Sequence, residues 1–475
     1  MQGGNFDGLL FYQYDDQSIT GDAGQYLTNN SGNVPDGGVV DFIKSNSTLA
    51  GQDTFTDMTQ HRASFTGNWA LSDYKLTSQT TYTDFAQSKV IDVDGLPYSA
   101  ATADVVYNPE TLQQFTQELR LASPDTQAIP FIAGVYFHQA SYDTNYVDRD
   151  GGLIAAAPIR SLFPNVPDVF KQDGWSVAAF ASASYDLTNR LRVDGGARVT
   201  YEEKEVDHSF AGNPSVNLSR DGTVVDGNVA LLFDATDEVT TYVSYGHGTK
   251  SGGFSDAAAP AVSEVKDEVA ESYEAGFKSL FNGGRLQFDF NIFYTEVTDF
   301  QFTQFNGAGF VTSNIDVASQ GAEATARVFL TDDFQVYGNA VYSDARDDAT
   351  DEVLERAPLW DAMFGAKYEH LYSGGAIRVD LNASHTSTLY NDPPKSGNPV
   401  IVAAVGDPIT KLNASIGWTS PDERYELVLS GRNLTDEFNI AFASPDTCSL
   451  TCLPPEAYGP ITQGRTVTLQ GTLKY

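Results

Sequence analysis

Apolar and polar side chains take turns along most of this chain. In "RLQFDFNIFY", Leu286, Phe288, Phe290, Ile292 and Tyr294 fall on one parity and Gln287, Asp289 and Asn291 on the other. "KLNASIGW" repeats the pattern, with Leu412, Ala414, Ile416 and Trp418 set against Lys411, Asn413 and Ser415. "FQVYGNAVY" sets Phe334, Val336, Ala340 and Tyr342 against Gln335, Tyr337 and Asn339. The closing "RTVTLQGTLKY" alternates Val467, Leu469, Leu473 and Tyr475 with Thr466, Thr468, Gln470, Thr472 and Lys474. Successive side chains of a strand point to opposite faces, so each run predicts a strand that is greasy on one face and wet on the other. About eighteen segments read this way. Those at 127–148, 191–207 and 310–330 continue well past the roughly 5 or 6 residues usual in globular sheets.

Short turns are predicted near 71–73, 123–130, 186–190, 234–238, 281–285, 330–334, 372–376 and 420–424. Between them fall long connections near 17–60, 90–113, 146–174, 207–222, 247–266, 301–312, 344–358, 391–408 and 438–464. One tidy rim and one elaborate rim mark an up-and-down antiparallel sheet. A β-sandwich shows the same alternation, but strands this long and rims this unlike suit a transmembrane β-barrel with short inner turns and long outer loops. With the last strand ending on the tidy side, strand one at about residues 6 to 16 runs outward, and the loop at 17–60 is external.

Composition agrees. Gly (41), Tyr (24) and Phe (29) are plentiful, while Met (3) and Cys (2) are scarce, which is strand and turn chemistry. No window approaches the about 18 consecutive apolar residues of a spanning helix, and this leaves a strand-built membrane wall open. A net charge of −35 excludes nucleic acid as a partner, since that needs clustered Lys and Arg. "MQGGNFDGLLFYQ" carries no export signal, so the expectation is either a cytoplasmic protein or a missing beginning. Aromatic residues recur toward strand ends at Tyr136, Phe137, Tyr242, Tyr245, Tyr368, Tyr372, Tyr425 and Tyr475, as interfacial girdles do; ordinary sheet packing is the other reading.

Several stretches carry a likeness to a known family. "QFTQELRLAS" (114–123), "FIAGVYF" (131–137), "TYVSYGHGTKSGGF" (241–254), "SYEAGFKSLF" (272–281), "LVLSGRNLTDEF" (427–438) and the closing strand together resemble TonB-dependent receptors, the active transporters of bacterial outer membranes. The resemblance implies an all-β barrel of about 22 strands with a plugged lumen, of which about 18 are present here. On that footing residues 1–475 are one barrel domain, N-terminally incomplete, without signal peptide, TonB-interacting segment, plug or about four strands. It also implies a bacterial outer-membrane location and uptake of a scarce solute such as a ferric siderophore. The implied partners are outer-membrane lipid, the barrel-assembly machinery, which would read Tyr475, and the TonB complex through the absent N-terminal region. A passive pore or vestigial barrel is the alternative, and a soluble all-β adhesin or carbohydrate-binding protein is a third.

Candidate chemistry is sparse. "GHGTKS" (246–251) lacks the Gly before Lys that a phosphate loop needs, so it reads as the root of an outer loop. There Lys250 and Phe254 are placed to touch solute or plug, and His247 is the one histidine placed for solute contact. His61, His138, His208, His370 and His385 are scattered wall or rim residues without metal-ligand spacing. "IDVDG" (91–95), "VDRDG" (147–151) and "DARDDATDE" (344–352) read as incidental acidic loops, with divalent-cation bridging as the alternative. Cys448 and Cys452, both in the last long loop and facing an oxidising exterior, read as a local disulfide. The sequon-like triplets at Asn46, Asn382 and Asn433 carry no meaning in a bacterial barrel. No nucleophile elbow or Cys/His pair appears, so no enzyme, cofactor or metal site is expected.

Overall fold

The computed structural model describes residues 2–20, 24–26, 55–92, 104–150, 167–210, 214–255, 262–305, 310–390, 406–438, 444–445, 457–460 and 462–474. Eighteen long strands form one antiparallel sheet, each bonded to its neighbour in sequence. They begin with β1 (Phe6–Thr20), β2 (Phe55–Leu71), β3 (Tyr74–Asp92), β4 (Asp104–Ala122), β5 (Phe131–Asp150) and β6 (Pro167–Thr188). Then come β7 (Leu191–Phe210), β8 (Val216–Thr236), β9 (Val239–Lys250), β10 (Glu268–Phe281), β11 (Leu286–Phe305) and β12 (Phe310–Phe329). The last six are β13 (Phe334–Asp347), β14 (Trp360–Tyr372), β15 (Gly375–Thr386), β16 (Ile409–Thr419), β17 (Tyr425–Arg432) and β18 (Thr466–Leu473).

Register partners share a face, so the ladders carry each strand's alternation round the wall. Phe290 stands opposite Phe277 and Ala324, and Ile292 opposite Ala275 and Ala322. This face is bare: Ile292 is 53 % exposed, Phe364 63 % and Leu469 67 %. Rows of exposed Leu, Val, Ile and Phe over this many strands need an apolar medium, which a bilayer supplies. The other face is polar and internally bonded. Asn291 donates to Glu323 at 3.0 Å, and the Tyr337 hydroxyl to Asp380 at 2.9 Å.

Tyr245, Tyr273 and Tyr294 stand side by side on the apolar face of β9, β10 and β11, and Trp175–Tyr201 and Tyr342–Trp360 extend such pairings to other strands. Tyr368, Tyr372 and Tyr425 mark the short-turn side of the same face. Tyr136 and Tyr242 do not belong to these rows, contrary to expectation. The Arg198 guanidinium lies 5.1 Å over the Tyr136 ring, and the Tyr242 hydroxyl donates to Glu274, so both face the polar side.

Two expected long connections are mostly strand. β7 runs to Phe210 with Val216 of β8 opposite His208, and β11 runs to Phe305 opposite Phe310. There the alternation of the wall changes phase, as at the buried Val206 and Phe210, while the backbone ladder continues. A bulge at Val297/Phe300, with Asp299 at φ 55°, bends the β11–β12 ribbon.

Among the described residues no ladder joins β1 to β18. On the edge away from β2, β1 bonds only Gln2–Gly3, at Asp7 and Phe6. At the outer rim Gly24–Tyr26 pairs with Ala457–Pro460, which also pairs with Ser444–Pro445, so the loops after β1 and before β18 are clasped to each other.

Candidate functional site

The motif "GTKSGGF" leaves β9 at Lys250 and turns into a short strap. Gly253–Ser255 pairs with Ser263–Val265, and Asp267 leads into β10. The strap is wedged between the outer ends of β7–β8 and β11–β12, which run on past the ends of β9 and β10. On the first side Lys204 donates to the Gly252 carbonyl at 2.6 Å and to Ser251 Oγ, and Ser251 Oγ donates to Glu202. Arg220 Nη2 donates to Asp267 at 2.8 Å, and the Gly252 amide donates to the same carboxylate oxygen at 2.8 Å. On the second side Gln301 Nε2 donates to the Ser251 and Lys266 carbonyls, and the Lys266 amide donates to Asn314.

The first glycine of the motif's pair follows from this seat. A Cβ on Gly252 would overlap Arg220 Nη1 and the Val265 carbonyl oxygen, so no side chain fits. Lys204 and Asp267 lie beyond the aromatic rows. Burial pushes the Lys204 ammonium below its usual value, with the Glu202 carboxylate opposing. Burial pushes the Asp267 carboxyl up, but the Gly252 amide and the Arg220 hydrogen bond and charge outweigh it and hold the group below the usual range. A depressed carboxylate supports its contacts above its ordinary titration and releases them only as pH falls through the lowered value. The Arg220–Asp267 pin is therefore intact at neutral pH.

The three residues singled out from the motif do not converge. His247 stands opposite Glu271 on the face of Tyr245, one step beyond the tyrosine row, with Nδ1 3.8 Å from Glu271 Oε1. Lys250 is on the opposite parity, 3.3 Å from Glu268 Oε2, and Phe254 sits on the strap opposite Glu264. Below Lys250 and Phe254 the wall holds a recess of about 640 Å³, and His247 is among its lining residues, with Phe180, Arg198, Asp226, Gly246 and Ser272.

Sequence reasoning passed over the most enclosed polar pair. His208 Nε2 lies 2.6 Å from Asp168 Oδ1 at the outer end of β6–β7, with 1 % and 2 % of the two side chains exposed. Phe170, Val206 and Phe210 are buried around it. "VDHSF" carried the signal: Val206, His208 and Phe210 share one parity on a face that is polar farther down the strand.

The acidic loop at 344–352 is spent on its own turn. Asp347 Oδ1 accepts the amides of Ala349 and Thr350, and Arg346 binds Asp344 at 2.8 Å. Among the described residues no three His, Cys, Asp or Glu side chains converge as a metal requires. Part of each of the other two acidic motifs, and Cys448, Cys452 and Tyr475, lie outside the described residues.

Comparison with known proteins places this geometry. Residues 3–434 match the family model "TonB dependent receptor-like, beta-barrel". A ferric-pyoverdine receptor, PbuA, of a Pseudomonas species is 26 % identical over 280 residues, covering 54 % of this chain and 32 % of that protein. The match thus spans about a third of the relative's length. The ferric yersiniabactin uptake receptor FyuA from Yersinia pestis superposes with a TM-score of 0.80 at 17 % identity, over 99 % of this chain and 68 % of FyuA. The ferric-catecholate import receptor Fiu from E. coli gives 0.72 at 15 % identity, over 99 % and 72 %. At these identities the structural likeness is one of fold.

Proposed function

Because this chain belongs to the TonB-dependent receptor β-barrel family, we propose that it is the barrel of an outer-membrane receptor for TonB-dependent uptake of a scarce solute of the ferric-siderophore class. The observation that carries the reading is the braced strap at the outer end of a polar-lined wall. It holds Lys250 and Phe254 in fixed backbone positions between two projecting ribbons, with His247 at the rim. The names of the similar receptors supply the solute class. In this reading the edges of β1 and β18, which no ladder joins among the described residues, take further strands, and the plug and TonB contact are supplied by parts of the receptor other than this barrel. On the same reading Cys448 and Cys452, which lie outside the described residues, form a local disulfide in the last long loop. Tyr475 serves recognition by the assembly machinery.

The test is uptake of radiolabelled iron, supplied as ferric hydroxamate and ferric catecholate complexes. The host lacks its own receptors for both and expresses the complete reading frame with its upstream DNA. Accumulation that vanishes when TonB is deleted is expected. Equal accumulation without TonB would favour a passive pore, and no accumulation by a folded, surface-exposed barrel would remove this solute class.

A further inference from the structure

The strap contacts both projecting ribbons by polar bonds and has little apolar burial of its own, with Val265 its one buried hydrophobic residue among those described. On the β7–β8 side its bonds come from Lys204 and Glu202 on one strand and Arg220 on the other. On the β11–β12 side they come from Gln301, Asn314 and, through Ser255, Thr312, while Lys266 Nζ reaches Asp299 in the bulge at 3.0 Å. The wall beneath is continuous, but above it the two ribbons share no ladder with each other.

We propose that the strap between β9 and β10 is a brace that couples the β7–β8 and β11–β12 ribbons, so that both sides of the outer mouth hold one spacing. Lys204, Arg220, Asp267 and Gln301 are then positioning residues for Lys250 and Phe254, and do not themselves contact solute. The idea gains its use from the receptor reading, but the measurement needs no solute and stands or falls apart from that reading.

The geometry explains why polar pins serve here. Past Val317 the β11–β12 ribbon is a two-stranded extension standing in water, and such a ribbon is marginally ordered on its own, whereas β7 stays paired to β6 as far as Phe210 and offers the strap a firm side. A third element bonded to both removes that freedom without requiring an apolar core. Ablating one side's pins should therefore loosen the mouth while leaving the wall unchanged.

The test is the distance distribution between nitroxides placed at Ser219 and Thr303, on the two ribbons, in a Cys448→Ser/Cys452→Ser background. The barrel is folded into vesicles, and its integrity is checked by heat-modifiable gel migration. With the strap intact the distribution should be narrow. Lys204→Met with Arg220→Met should broaden it by about twofold or more, as ribbons freed from a common anchor sample nanosecond-to-microsecond loop motions. Gly252→Val, which displaces the strap from its pins without altering any of the pinning side chains, should do the same. Glu264→Gln, a side chain 61 % exposed and 3.8 Å from Arg220, should leave it unchanged. Folded barrels whose distributions stay narrow in both disruptive variants would overturn the brace.

Discussion

A Phe290→Arg substitution is expected to cost the folded barrel about 2–4 kcal/mol more than Phe290→Leu, read from denaturant midpoints in phosphatidylcholine vesicles. Phe290 lies midway between Leu286 and Tyr294 on the apolar face of β11, with Phe277 and Ala324 opposite. A guanidinium at that depth meets acyl chains on its open side, and no carboxylate stands beside it on that face. The companion change is Thr325→Arg on the neighbouring β12. Thr325 faces the polar interior opposite Asp289 and Asn339, and the cost there should stay within about 0.5 kcal/mol. Equal losses at the two positions would contradict the assignment of faces.

The second large effect is local. Asp168→Ala removes the partner of His208 from an enclosed site, and an orphaned buried polar group costs about 1–3 kcal/mol. Because the pair sits at the outer end of β6–β7, the loss should appear as faster hydrogen exchange near Val206 and Phe210, with the wall around Val193 to Val199 unaffected. His208→Ala should cost a similar amount. The double variant should cost less than the sum, with a coupling of about 0.5–3 kcal/mol. Strict additivity would show that the contact contributes nothing beyond packing.

Where a bilayer dictates the pattern, the wall was legible from residues alone. β11, β13 and β16 alternate as written in the chain, because one face must be apolar and the other must meet water. The strand count of about eighteen follows from the same constraint. Legibility ends at the rim. Past Tyr201 and Tyr294 the alternation loses its phase, with Val206 and Phe210 on the parity that is polar lower down β7 and Phe300 following a bulge, so the long connections placed near 207–222 and 301–312 fell inside ladders. Tyr136 and Tyr242 misled for a related reason. A tyrosine fits an interface or a polar lumen equally well, and only the register shows that Arg198 and Glu274 hold these two inside.

The candidate site was legible in part. "GTKSGGF" marks the root of the strap, and the need for Gly252 is steric. Its pins, however, arrive from β7, β8, β11 and β12, and no local spacing encodes which distant Lys, Arg or Gln will meet it. His247 stood out because it lies in the motif, yet the enclosed histidine is His208, whose partner is 40 residues away in sequence.

The central claim is a membrane wall with one face to lipid and one to water. It is tested most directly by moving a nitroxide label through positions 287 to 293 of β11, one at a time, in vesicles and in the Cys448→Ser/Cys452→Ser background. Accessibility to molecular oxygen should peak at Phe288, Phe290 and Ile292, while accessibility to a water-soluble nickel chelate should peak at Gln287, Asp289 and Asn291, the two running out of phase with a period of two. Two profiles that rise and fall together, or show no period of two, would contradict the account.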